Sequence, residues 1–185
     1  MHHPIFEATG RHFNLIRPGV PSKQPLQAWD AADQYLIDTV NEAFPQQTYL
    51  ILNDNFGALG VASMENATLW ISDSRCAHDA LLLNMQKNKV ANTVNLKTAL
   101  DDWHSDSTLT VMRLPKTISY LKYQLYKLHQ SGIRTILLGG MMKHLPENIL
   151  DLLLQYGSVQ RLPFRKKATV YQLTLENAIP TPYPK

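Results

Sequence analysis

The chain has 185 residues and is 44% hydrophobic, which is enough for one domain with a substantial core. No apolar run approaches the roughly 20 residues that cross a bilayer, and the single cysteine, Cys76, excludes an internal disulfide and a zinc site made of several cysteines. The net charge is +3, with seven Lys and Arg against twelve Asp and Glu in residues 1–112 and ten against two in residues 113–167. The start of the chain lacks the apolar core and cleavage site of a signal peptide, so we expect a cytoplasmic protein.

The first elements of the chain lead to a buried strand. Residues 1–24 are interrupted by prolines and show no periodicity, so we predict an extended arm packed on the domain. Residues 26–44 carry apolar side chains at helical spacing and end at Pro45, which predicts an amphipathic helix with Trp29 in the core rather than as a stacking platform. The continuous apolar run Tyr49–Leu52 is typical of the first strand of a parallel sheet, covered on both faces.

The turn after this strand is where a parallel sheet usually holds a ligand, before a helix that begins near residue 58. Nucleotide-binding turns need glycines so that the backbone can approach a phosphate or a ribose. Here only Gly57 and Gly60 are present, and the bulky Phe56 follows the polar run Asn53-Asp54-Asn55. The turn therefore has the position of a nucleotide loop without its composition.

The middle of the chain continues the alternation of strands and helices. Residues 68–72 predict a second strand, followed by Asp73, which either receives the hydroxyls of a ribose or caps the helix predicted at 74–88; we favour the cap. A weak third strand is predicted at 93–96 and an acidic loop around Trp103 at 100–106.

The second half predicts a fourth strand at 109–114 and a helix at 118–132 with Gly132 near its end. The tyrosines and lysines on the outer faces of this helix either stack on bases or cover the rim of a core; we favour the rim. The remaining elements are a strand at 134–139, a loop at 141–145, a helix at 146–155, and strand-like segments at 159–162 and Ala168–Leu175, which flank a basic turn and should be antiparallel neighbours. The proline-containing residues 177–185 predict an extended tail or linker.

This order predicts an α/β domain over residues 25–176, with a mostly parallel sheet, helices on both faces and an antiparallel terminal strand pair. It is the order of the class I methyltransferase-like (Rossmann-like) fold. Four stretches sharpen the similarity: PLQAWDAADQYL at 25–36, LILNDNFGALG at 50–60, RLPKT at 113–117, and the pair Lys166-Lys167 near the last strand. In order and spacing they resemble the N-terminal half of the two-domain ribosomal RNA (guanine-N2) methyltransferases, most closely the enzyme of the large-subunit 23S rRNA.

The resemblance implies a degenerate, non-catalytic copy of a methyltransferase domain, with S-adenosylmethionine and the catalytic residues in a C-terminal domain. The residues of the chain favour the same conclusion. The degenerate cofactor site comprises five residues: Asp54, Phe56, Gly57, Gly60 and Asp73. In addition, the Asn-Pro-Pro-Phe signature that holds the flipped guanine in active domains is replaced here by Arg113-Leu114-Pro115-Lys116. We therefore predict no catalytic residue and no cofactor in this chain.

The basic residues favour contact with ribosomal RNA through its phosphates, although lysines that only keep the domain soluble are the other interpretation. Arg113 and Lys116 should lie at the carboxyl edge of the sheet, and Lys143 should extend that edge. A second cluster, at Arg165, Lys166 and Lys167, has no predicted position relative to the first. The expected partners are ribosomal RNA and the catalytic domain, without a membrane.

Two other functions remain open at this stage. The chain is alternatively a self-contained S-adenosylmethionine-dependent methyltransferase that uses Asp73 and a rearranged turn at 55–60, or a purely structural partner of the catalytic domain. Hydrolase-elbow, phosphate-loop and zinc-protease motifs do not occur, and only His2 and His3 are close enough in sequence to bind one metal.

Overall fold

The computed structural model describes residues 5–21 and 26–184. The predictions that involve Pro4, Pro25 and the pair His2 and His3 lie outside these residues. The described part of the N-terminal arm forms a hairpin of β1 (Phe6–Ala8) and β2 (Arg11–Phe13). Its two-residue turn has positive φ angles of 53° and 72°, as the right-handed twist of a tight hairpin favours. The arm packs on the domain through buried side chains of both strands.

The rest of the chain alternates strands with helices, as predicted. The elements in order are α1 (Ala31–Ala43), β3 (Tyr49–Leu52), α2 (Ala58–Ala62), β4 (Ala67–Ile71), α3 (Arg75–Lys87), β5 (Asn95–Lys97), β6 (Leu109–Arg113), α4 (Ile118–Gln130), β7 (Thr135–Met141), a 3-10 turn (Met142–His144), α5 (Ile149–Leu154), β8 (Gly157–Arg161) and β9 (Ala168–Leu175). None of the described helices is both long and apolar enough to cross a membrane.

Seven strands form one sheet in the order β5-β4-β3-β6-β7-β9-β8. The first five of these strands pair in parallel, whereas β9 pairs antiparallel to both β7 and β8. The mostly parallel sheet with an antiparallel terminal strand pair is therefore confirmed. Because β9 runs antiparallel to β7, it starts beside the carboxyl end of β7. The basic turn that joins β8 to β9 therefore lies at that edge of the sheet.

The two faces of the sheet carry separate cores. On one face the hairpin and helices α1, α2 and α3 bury the first core, a cluster that includes Ile51 and Trp70. On the other face helices α4 and α5 bury the second core, a cluster that includes Leu50, Leu52 and Trp103. The alternation of Leu50, Ile51 and Leu52 between the clusters explains why the sequence of β3 is apolar without interruption.

Two helices begin later than the sequence predicts. Helix α1 starts after Asp30, whose carboxylate accepts hydrogen bonds from the backbone N–H groups of Ala32 and Asp33 at 2.9 and 3.3 Å, and Leu26 is left exposed. Helix α5 starts at Ile149 rather than at 146, because the preceding residues form a separate turn. For α1, apolar residues ahead of the cap extend the predicted periodicity beyond the helix. For α5, the prediction rested on Pro146, which suits a first helical turn but here lies in the separate turn.

Candidate functional site

The carboxyl ends of β3, β4 and β6 meet at the point where the strand order reverses, which is where sheets of this kind bind nucleotide cofactors. In this chain the space is bridged by the protein's own side chains. Asn53, held with φ of 63°, and Gln124 on α4 exchange two amide hydrogen bonds of 2.9 and 2.8 Å. The Asn53 amide also donates to the backbone carbonyl of Arg113 at 2.9 Å. This neutral amide pair ties the end of β3 to β6 and α4 across the crevice.

Asp73 forms a second bridge. Its carboxylate accepts hydrogen bonds from the backbone N–H of Ala99 at 2.6 Å and from the Tyr120 hydroxyl at 2.8 Å. The prediction that Asp73 caps the next helix is wrong, because Ser74 is the cap and its hydroxyl accepts a hydrogen bond from Ala77 N–H at 3.2 Å. Partial burial and the Asp73 carboxylate raise the pKa of Tyr120, so the phenol stays protonated and donates.

Helix α4 also secures the acidic loop that follows β5. The Tyr123 hydroxyl and the Lys127 ammonium donate to the carbonyl of Ala99 at 2.9 and 2.8 Å, and Lys127 also donates to the backbone carbonyl of Asp101 at 2.6 Å. Lys127 lies 4.6 Å from the centre of the buried Trp103 ring. The tyrosines and lysine on this part of α4 therefore cover the rim of the second core, as predicted.

Asp54 is turned into the first core. It is buried and accepts hydrogen bonds from the backbone N–H of Gly60 at 2.8 Å and the indole N–H of Trp70 at 3.0 Å. Burial raises the pKa of Asp54 above its usual value, although these donors act in the opposite direction. Asp54 thus organises the start of α2 from inside the protein.

The two glycines of this turn lie close to α3. Gly57 has φ of 88°, and a Cβ atom placed there would lie 2.7 Å from the Cα of Leu81. A Cβ atom on Gly60 would lie 2.6 Å from the Leu81 Cδ1 atom. Phe56 packs partly buried against the first core, and its carbonyl accepts a hydrogen bond from Asn84 at 2.8 Å. The turn at 54–60 is therefore built for helix packing.

A cleft of about 320 Å³ remains between the loops after β3, β4 and β6. Asp73 and Tyr120 lie in its wall together with Lys116, which is exposed. Among the described residues, no group of three His, Cys, Asp or Glu side chains is arranged to hold a metal ion.

Arg113 lies at the end of β6, as predicted, but its side chain is only 11% exposed. Its guanidinium forms an ion pair with Asp30, including a 2.9 Å hydrogen bond, and lies 2.9 Å from an Asp33 carboxylate oxygen. Burial disfavours the charge on Arg113, but the two carboxylates outweigh it and raise the pKa of Arg113 above its usual value. Arg113 therefore holds the first turn of α1 against the sheet and does not present its charge to a ligand.

The two aspartates of this cluster differ in their environments. Burial, the Asp30 carboxylate and the Asp54 carboxylate raise the pKa of Asp33 to about 7, against the effect of Arg113. Asp30 also meets a cost of burial, but its contacts with Arg113 and with backbone N–H groups lower its pKa below the usual value. One arginine thus serves two carboxylates, and the more buried of them is the weaker acid.

Four exposed lysines lie along the carboxyl edge of the sheet, and we call this set the basic edge. Its members are Lys116, Lys143, Lys166 and Lys167. The loops that carry Lys116 and Lys143 meet where Leu114 and Leu145 both approach Gly140. The backbone N–H of Met142 donates to the carbonyl of Lys167 at 2.9 Å and joins the next two loops. The structure thus places at one edge the two clusters that the sequence left separate.

Arg165 is anchored within the domain. Its guanidinium lies 3.0 Å from an Asp38 carboxylate oxygen and 4.4 Å from the centre of the Tyr35 ring. The Tyr35 hydroxyl donates to the carbonyl of Pro163 at 2.6 Å, so α1 fixes the basic turn at two points. Sequence reasoning did not select Phe164, which is 49% exposed in this turn, although an aromatic residue among basic ones is a recognisable signal.

The comparisons with known proteins agree with this architecture. The family described as the RLMG N-terminal domain matches residues 3–177. The ribosomal RNA large subunit methyltransferase G of Stutzerimonas stutzeri is 38% identical over 191 residues, which cover 98% of this chain and 51% of that protein. The protein of the same name from Pseudoalteromonas atlantica is 42% identical over 125 residues, which cover 64% and 33%. The chain spans about half the length of the Stutzerimonas stutzeri relative.

Two solved structures share the fold. The 16S rRNA N2 G1207 methyltransferase RsmC of T. thermophilus, solved with AdoMet and guanosine, matches with a TM-score of 0.64 and 17% identity over 93% of this chain and 50% of that one. The putative methyltransferase yhhF from Escherichia coli matches with a TM-score of 0.60 and 16% identity over 91% and 94%. The predicted class I methyltransferase fold is confirmed.

Proposed function

Because this chain belongs to the family of the RLMG N-terminal domain, we propose that it is the non-catalytic, RNA-binding half of a ribosomal RNA (guanine-N2) methyltransferase that acts in the cytoplasm. The large subunit RNA is its proposed target. In this proposal the C-terminal half binds S-adenosylmethionine and selects the guanine, while the present domain holds the surrounding RNA. Both halves would share one fold, and only one would use it for chemistry.

The observation that carries the non-catalytic part is the bridged crevice. A nucleoside cofactor needs a free acid for its ribose and a turn that its backbone can approach closely. Here Asp73 is hydrogen-bonded to Ala99 and Tyr120, Asn53 is paired with Gln124, and Asp54 faces the first core. These residues do not fit S-adenosylmethionine, and we derive no catalytic step in this domain.

The basic edge supports the RNA-binding part. Lysine carries a compact charge on a flexible side chain, so it can contact a phosphate without a rigid binding pocket. Lys116 follows β6, Lys143 follows β7, and Lys166 and Lys167 precede β9. These three strands are adjacent in the sheet, and neighbouring strands lie roughly 4.8 Å apart. This spacing allows several phosphates of one structured RNA to be contacted at once. Arg113 is buried against Asp30 and Asp33, and Arg165, although exposed, is paired with Asp38, so neither arginine is counted in the basic edge.

The first experiment measures the affinity of the chain for structured ribosomal RNA fragments as a function of salt concentration. We expect K116Q, K143Q and the double variant K166Q/K167Q to weaken binding of all fragments and to lower the salt slope by about 1 for each lost phosphate contact. The matched control is K87Q, which neutralises an exposed lysine at the end of α3, on the opposite edge of the sheet. An unchanged salt slope in all three variants, or the same loss in K87Q, would contradict the proposal.

A calorimetric titration with S-adenosylmethionine separates this proposal from a self-contained methyltransferase. We expect no saturable heat at millimolar ligand, because Asp73 and Asn53 already have partners within the protein. Saturable binding that disappears in D73N would favour the self-contained enzyme. A chain that bound neither ligand would retain only the structural role beside the catalytic half.

A further inference from the structure

Phe164 is the most exposed phenylalanine among the described residues, at 49%, and it lies within the turn that joins β8 to β9. Four of the seven residues in 161–167 are basic and none is acidic. Exposure of a large aromatic side chain to water does not stabilise the fold. Single exposed aromatic residues are nevertheless common and need no explanation by themselves. The position of Phe164 becomes informative through its rigidity and its neighbours.

The turn around Phe164 is held firmly. The Tyr35 hydroxyl binds the carbonyl of Pro163 at 2.6 Å, and Leu162 N–H donates to the carbonyl of Val170 at 2.9 Å. On the other side, Arg165 and Ala168 exchange backbone hydrogen bonds of 3.1 and 2.9 Å. The backbone on both sides of Phe164 is thus fixed, and the ring is presented to solvent without the cost of ordering a loose loop on binding.

One neighbour of the ring is a cation. The Arg161 guanidinium carbon lies 4.0 Å from the centre of the Phe164 ring, which is within the range of a cation–π contact. The guanidinium lies over one face of the ring, so a nucleobase can stack on the opposite face of the ring or on the outer face of the guanidinium. The lysines of the basic edge adjoin this surface, since Lys166 and Lys167 are in the same turn and Met142, next to Lys143, bonds to Lys167.

We infer that Phe164 and Arg161 form a stacking platform for an unpaired RNA base, whose flanking phosphates are held by the lysines of the basic edge. This inference rests on the proposed RNA-binding function and adds to it the class of RNA: a bulge, a loop or a single strand rather than a continuous duplex. A base within a duplex has its faces covered by its neighbours and does not reach a protruding ring.

The test compares the full chain with F164L, F164W and Y183L, using a single-stranded RNA oligonucleotide and a fully paired duplex of the same length. F164L should weaken binding of the single strand by about 5- to 100-fold, the effect of losing one stacked base, and change duplex binding less than about 2-fold. F164W should retain the affinity. Tyr183 is the matched control, since it is a 54% exposed aromatic residue that packs on Tyr126.

The salt slope distinguishes stacking from phosphate contacts. F164L should leave the slope unchanged, whereas K166Q/K167Q should lower it. Unchanged affinity of F164L for the single strand, an equal loss on the duplex, or a lower slope would overturn the platform while leaving the proposed function intact. If the unchanged chain bound neither RNA, both the platform and the proposed function would be overturned. Circular dichroism confirms that each variant is folded before its affinity is compared.

Discussion

The substitution R113M should destabilise the domain strongly at pH 8 and less at pH 5. Methionine keeps much of the aliphatic length of Arg113 but removes the charge that faces Asp30 and Asp33. The two carboxylates do not respond alike. The Asp30 side chain is 39% exposed, so water can solvate its carboxylate when Arg113 is absent. The Asp33 side chain is only 10% exposed and remains buried without its cation.

The magnitude follows from that difference. Breaking a buried ion pair by removing one partner costs about 3–5 kcal/mol. Because only Asp33 stays buried, we expect the lower end, about 3 kcal/mol at pH 8. The pKa of Asp33 is raised to about 7 even with Arg113 present, and it rises further when Arg113 is absent. At pH 5 Asp33 is protonated in both folded proteins and no buried charge remains, so the loss should be smaller by about 1.4 kcal/mol, the linkage between pH 8 and a pKa of about 7.

The assay is urea unfolding followed by circular dichroism at pH 5 and pH 8. A folded-state pKa above the unfolded value contributes stability at low pH that is lost as the pH rises through the folded pKa. The unchanged chain should therefore lose stability between pH 5 and pH 8, and the variant should lose more, because the pKa of its Asp33 is higher still. K116M is the control, because Lys116 is exposed in the next loop and its loss should change the free energy of unfolding by less than about 0.5 kcal/mol. A loss in R113M that is small at pH 8, or equal at both pH values, would refute the reasoning.

Three further predictions concern stability. D33N keeps an oxygen that accepts the capping hydrogen bond but cannot ionise. In urea titrations the free energy of unfolding of the unchanged chain should fall by about 2 kcal/mol between pH 5 and pH 7, and that of D33N should change less. G60A should cost about 1–3 kcal/mol, and a double-mutant cycle with L81A should show a smaller cost once the Leu81 Cδ1 atom is absent. Y35F should cost about 0.5–1.5 kcal/mol in thermal or urea unfolding, because the carbonyl of Pro163 loses its donor.

The sheet was predictable from sequence because its signals are local. The apolar run of β3 and the paired segments on either side of the basic turn are each contained in a few residues, and the structure reproduces them. The partners of Arg113 were not predictable, since Asp30 is 83 residues away and lies in the first turn of a helix whose start was placed too early. The choice between Asp73 and Ser74 as helix cap was equally beyond a pattern, because both residue types cap well.

The distribution of charge along the chain also misrepresented its distribution in space. The acidic helix α1 packs on β6, β7 and β9, beside the basic second half of the sequence. Its aspartates there pair with Arg113 and Arg165, so these two arginines contribute less to the basic surface than the lysines of the basic edge and the exposed Arg161. The charge that a partner meets is therefore what remains after such internal pairing, and only tertiary structure determines it.

Gly57 and Gly60 change the way in which a glycine-based fingerprint should be judged in this fold. A Cβ atom on either glycine would meet Leu81, a residue of the same protein, and the positive φ of Gly57 also favours glycine. A motif search gives such a glycine the same score as one that leaves space for a phosphate. The two kinds of glycine are distinguished by asking which group an added Cβ atom would contact, and here that group belongs to helix α3. In a domain of this kind, glycines at the position of a nucleotide loop can thus be explained by internal packing and backbone conformation.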